Sequence, residues 1–108
     1  MKPRHLAPLA PLALLAACAQ SPDAIAPVAM PSGAFSQLSC QQARADRASA
    51  SSTLAALEAQ QRSAVAGDAV GVFLIGVPVS SLTGGNKAGL IAAEKGRVMA
   101  LDARLAQC

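Results

Sequence analysis

The chain has 108 residues, 53% of them hydrophobic but only 2% aromatic, with no Trp or Tyr. That length allows one small domain, and an apolar content made mostly of Ala, Leu and Val suits close-packed helices better than a broad globular core. The formal charge of +3 overstates the basicity: Lys2 and Arg4 belong to an N-terminal leader, and the remainder carries seven basic against six acidic side chains, with no basic cluster or aromatic interleaving of the kind that binds nucleic acid.

Lys2, Arg4 and His5 form a short positive segment, and residues 6–17 are apolar, interrupted by Pro8 and Pro11. A stretch this short reads as a signal peptide over residues 1–17 rather than a permanent span. It closes on Leu15, Ala16, Ala17 and Cys18, which resembles the lipobox of bacterial lipoproteins: a bulky apolar residue, two small residues and a cysteine. The resemblance implies cleavage before Cys18 and acylation there, with palmitate among the chains. Each buried methylene adds about 0.8 kcal/mol, so three chains anchor firmly where one is marginal. Ala19, in place of Asp, implies sorting to the outer membrane with the protein facing the periplasm.

Residues 18–38 then form a lipidated N-terminus and linker rich in Ala, Ser, Pro, Gly and Gln, with Pro22, Pro27 and Pro31. Few of these groups can offset the entropy of ordering, so the segment reads as a disordered tether.

Residues 39–108 change character. Cys40, Ala43, Arg47, Ala50, Leu54, Leu57, Gln61 and Ala64 step by three and four, as do Ile91, Glu94, Val98, Leu101, Leu105 and Cys108. Each series is one stripe of a helix, with a cysteine at its outer end. Folding the chain so that Cys40 faces Cys108 sets Ala43 against Leu105, Ala50 against Val98 and Leu57 against Ile91, the small-on-large pairing of close antiparallel helices. Arg47 faces Leu101 and must snorkel. The expected fold is all-α: an antiparallel two-helix hairpin stapled by a Cys40–Cys108 disulfide, as an oxidising compartment favours.

The connection is apolar where hairpin connections are commonly short and polar. Residues 69–79 include Val70, Val72, Phe73, Leu74, Ile75, Val77 and Val79. Gly67, Gly71 and Gly76 permit close backbone approach, Pro78 breaks any helix, and Asn86 is placed to cap the second long helix. Three readings stand open for this tip: internal packing, insertion at a bilayer interface, or docking on another protein. It is too short to span. Standing roughly 40 Å from the disulfide at about 1.5 Å per helical residue, it makes a two-ended object with a lipid anchor near the base.

The residues Cys40, Asp68, Gly71, Pro78, Gly84, Gly85, Lys87, Ala92, Lys95, Gly96, Ala100, Leu101 and Cys108 together resemble a family of uncharacterised small envelope proteins and lipoproteins of proteobacteria. Ala88, Gly89 and Leu90 replace acidic residues common in that family. The resemblance implies no activity, and Lys87 lacks the spacing and the following Ser or Thr of a phosphate-binding loop.

His5 lies in the leader, which leaves the mature chain without the imidazole that Ser-His and Cys-His mechanisms and common zinc sites need. Asp68 borders the apolar stretch and reads as a cap or a solvated helix end, and Glu94 reads as a partly exposed charge or a partner of Arg97 or Lys95. The sequence points to no catalytic residue, cofactor, metal, nucleic acid or small-molecule substrate. The expected partners are a membrane, through the anchor at Cys18, and, where the tip docks on protein, another envelope protein. The expected function is a non-enzymatic cell-envelope lipoprotein; the alternative is a small membrane-active lipoprotein tied to lysis or stress.

Overall fold

A computed structural model describes residues 18–108; residues 1–17, which the sequence analysis reads as a signal peptide, lie outside the described residues. A single 3-10 turn, Pro22–Ala24, is followed by three α-helices: α1, Cys40–Ile75; α2, Val79–Thr83; and α3, Ala88–Leu105. α1 and α3 form the antiparallel hairpin, and α2 folds back on the end of α1. The molecule is 65 Å long and 18 Å across its thinnest direction.

α1 starts where its capping chemistry is complete. Ser39 Oγ accepts the Gln42 N–H at 3.1 Å and Gln42 Oε1 accepts the Ser39 N–H at 3.0 Å, so two otherwise orphaned donors are satisfied reciprocally. The helix continues for 36 residues, about 54 Å of rise, passes through most of the apolar stretch, and stops at Gly76 in the left-handed region with φ 73°. The connection is thus mostly helix. Pro78 opens α2, and Gly84 ends it at φ 69°.

The disulfide between Cys40 and Cys108 closes the base, with Cα atoms 5.9 Å apart. Arg47 with Asp102 and Gln61 with Lys87 continue the same register toward the tip. Ala43, Ala50 and Leu101 form a buried cluster on which Val98 and Leu105 pack. Arg47, expected to stretch past Leu101, finds Asp102 at 2.8 Å, and both side chains stay about half exposed. Such a pair contributes little in water. Among the described residues Glu94 forms no ion pair, and Lys95 turns elsewhere.

Residues 19–38 depart from a free tether. They lie along the hairpin as a strap, interrupted by the 3-10 turn and by turns over residues 32–37, because backbone carbonyls meet fixed donors that composition does not reveal. Leu38 O accepts from Arg104 Nη2 at 2.8 Å and Nε at 3.1 Å. The Val28 N–H donates to Ala92 O at 2.9 Å. Lys95 Nζ donates to Ile25 O and Pro22 O at 2.8 and 2.6 Å. Phe35 and Leu38 add side chains to the core cluster, and Ile25 is buried. A Cβ on Gly96 would sit 1.8 Å from Val28 O, so only glycine admits the strap at that point.

Two outcomes follow for the fold. Cys108→Ser should cost about 4 kcal/mol in the chain-entropy account of a loop this long, read as a lower thermal midpoint of helicity that matches the reduced wild type. Gly96→Ala should leave the helices intact and speed hydrogen exchange at the Val28 amide, because the strap must lift.

Candidate functional site

The strap runs from base to tip, and its first described residues end beside α2. There the Ala19 N–H donates to Asp68 Oδ2 at 2.6 Å. The same carboxylate accepts the Ser80 N–H on Oδ1 at 2.6 Å and the Ser80 hydroxyl on Oδ2. Asp68 is 1% exposed. It is therefore neither a cap nor a solvated helix end, as its position beside the apolar stretch suggested, but an interior junction of α1, α2 and the strap. Burial raises the pKa of its carboxyl, but the Ser80 hydroxyl, the Ser80 N–H and the Ala19 N–H together outweigh it and hold the pKa below the usual range.

About two helical turns below, Gln61 makes a second junction. It is fully buried; its amide nitrogen donates to Gln20 O at 2.8 Å and to Asn86 Oδ1 at 3.0 Å, while its oxygen accepts the Lys87 N–H at 2.6 Å. Asn86 Oδ1 also accepts the Ala88 N–H at 3.0 Å. This is the capping contact expected of Asn86, although the first residue of α3 falls one place later than that role implies.

Above these junctions the chain bears no charge: residues 69–86 contain no Asp, Glu, Lys or Arg. Phe73 is 88% exposed, and Val70, Leu74, Ile75 and Leu82 are exposed by more than half. Val77 is exposed to a lesser degree, while Val72 and Val79 are half-buried. The seven tip residues singled out in the sequence thus divide. Val72 and Val79 face inward, and the other five form an outward apolar cap to which Leu82 is added. Of the three glycines, Gly71 makes the close approach: a Cβ there would lie 2.5 Å from Val79 Cγ2 and 2.8 Å from Val77 O, whereas Gly67 faces open space. Between α1 and α2 lies an open groove of about 410 Å³, lined by Ala64, Gly67, Asp68, Val79, Thr83 and Lys87.

The position of Cys18 follows. It is joined directly to the Ala19 amide that Asp68 holds, so it sits at the tip end of the hairpin. The arrangement expected from a free tether, with the N-terminus near the base and the apolar patch far away, does not form. Both are at one end, and the disulfide is at the other. Among the described residues no helix is long and apolar enough to cross a membrane, and no three His, Cys, Asp or Glu side chains gather as a metal site.

The Asp68 junction has a signed pH dependence. A carboxyl whose folded-state pKa is depressed stabilises the fold fully above the unfolded value of about 3.9 and loses that contribution as pH falls through the depressed value. Asp68→Asn should destabilise the protein at neutral pH by about 1 to 3 kcal/mol, since its amide group opposes donors. Acid titration of helicity should show the variant less sensitive to pH than the wild type below about pH 4.

Searches with protein-family models, among curated proteins and among solved structures find no match to this chain.

Proposed function

We propose that this chain is a non-enzymatic cell-envelope lipoprotein, anchored through acyl chains on Cys18, whose helical hairpin serves as an interaction module with an apolar tip. The observation that carries this reading is the exposed, charge-free cap of Val70, Phe73, Leu74, Ile75, Val77 and Leu82 on a hairpin whose charges lie elsewhere. A contiguous apolar patch of this kind is held in water at a cost, and marks a surface that meets lipid or protein.

Support for the anchor is sequence chemistry: a basic start, an apolar stretch and the Leu15, Ala16, Ala17, Cys18 ending. The oxidised Cys40–Cys108 pair suits an exported protein, since such bonds persist in oxidising compartments. It also leaves Cys18 as the one free thiol among the described residues. The outer membrane, with the chain on its periplasmic side, is the location that Ala19 after Cys18 favours.

The test is metabolic labelling of the full chain in a bacterial host. Labelled palmitate should enter the wild type and be absent from Cys18→Ser, and the variant should be retained as the larger, unprocessed form. A wild type that is processed yet carries no label would overturn the lipoprotein reading.

A further inference from the structure

An apolar cap and an N-terminal attachment at the same end of a rod constrain each other. The Ala19 amide is held 2.6 Å from Asp68 Oδ2, and Phe73 follows Asp68 by about 8 Å of helix rise. The apolar residues 6–17 lead directly into Cys18. Whatever holds that N-terminus in a membrane, whether acyl chains on Cys18 or the apolar leader itself, enters the molecule beside the cap.

We infer that the occupant of the apolar tip is the lipid bilayer that holds the chain's own N-terminus. Phe73, Leu74, Ile75 and Leu82 seat in its interface, the hairpin stands upright, and the disulfide end projects away from the membrane. The inference draws on the proposed function for the anchor, but the position of residue 18 is independent of how that residue is modified.

Three features favour lipid over a protein partner. No side chain within residues 69–86 is charged, and the polar groups there are hydroxyls and one amide, which a bilayer interface admits at far lower cost than charges. The run from Val70 to Ile75 rises by about 8 Å, which matches the depth to which interfacial apolar faces sink, about 5 to 10 Å. The one acidic group near that depth, Asp68, is buried and bonded to three donors, so seating the tip desolvates no free carboxylate. The Arg44, Arg47, Asp102 and Arg104 charges lie toward the disulfide end, where the inferred orientation leaves them in water.

The absence of Trp permits a direct depth measurement. Full chain, processed by its host and purified from membranes, is reconstituted in phosphatidylethanolamine–phosphatidylglycerol vesicles with brominated acyl chains, as Phe73→Trp and separately as Gln107→Trp. Bromine should quench most of the Phe73→Trp emission and leave the Gln107→Trp emission unchanged. Equal quenching of both would mean that the hairpin lies flat, and would overturn the inference. A Phe73→Trp emission that is blue-shifted but insensitive to bromine would assign the tip to a second copy or another protein, and would also overturn it.

The palmitate label, read on the same preparations with Cys18 intact, separates the two readings. Quenching of Phe73→Trp in a chain that carries no label sustains the upright orientation while acylation fails. Acylated wild type without quenching at position 73 sustains the anchor and removes the orientation.

Discussion

A carboxylate in the interior of a helix must be compensated for the water it has lost, and at Asp68 the compensation comes from two other stretches of chain. Ser80 brings a hydroxyl and an amide from α2, and Ala19 brings an amide from the strap. Without α2 folded back, the carboxylate would face solvent or apolar side chains with its donors missing, and an unsatisfied buried charge is among the most costly defects a small fold can carry. The arrangement of the tip depends on this requirement. Gly71 removes the side chain that would hold Val77 and Val79 away, so that Ser80 can reach Asp68.

The rest of the hairpin shows why such polar junctions matter here. Ala43 and Ala50 let the helices approach closely but bury little surface per residue. Leu101 and Ile91 are the large apolar side chains in the seam that are fully buried. A seam this thin is reinforced at intervals: by the disulfide at the base, by Arg104 and Lys95 on strap carbonyls, by Gln61 between strap and α3, and by Asp68 near the tip. In three of these four non-covalent contacts a side chain from the hairpin binds strap backbone through a carbonyl, and in the fourth through an N–H. The strap is thus held by its main chain, with Ile25, Phe35 and Leu38 giving the apolar part.

That division explains what was legible in the sequence. The two stripes and their terminal cysteines could be read because apolar periodicity and an oxidisable pair are properties of side chains in order, and both the hairpin and its register form as expected. The strap could not be read in this way, since a carbonyl is present at every residue and composition does not say which will meet Lys95 or Arg104. Gly96 was a trace of it: a glycine inside an otherwise good helix asks what must pass close by, and the answer is Val28 O. Ser39 and Gln42 carried a full capping signal for the start of α1 that periodicity alone passed over. At the other end, residues 69–79 were read as the connection between the two helices, yet α1 continues through Ile75 with α2 packed against it there.

The strap also changes what the chain's own sequence order implies about geometry. A free segment of about twenty residues would let the N-terminus wander by roughly 25 Å, and the tip and the attachment point would be mechanically unrelated. Laid along the hairpin, the same residues return the N-terminus to the end farthest from Cys40. If the N-terminus is anchored as proposed, rotation of the hairpin about that attachment is resisted by two contacts in place of one, the backbone at Ala19 and any surface that meets Phe73 and its neighbours. A rod fixed at two points on one end keeps a direction, whereas a rod on a tether does not. With the N-terminus anchored as proposed, the disulfide-stapled base and its charged side chains would be the part of the molecule held at a defined distance, about 50 Å of helix from the tip.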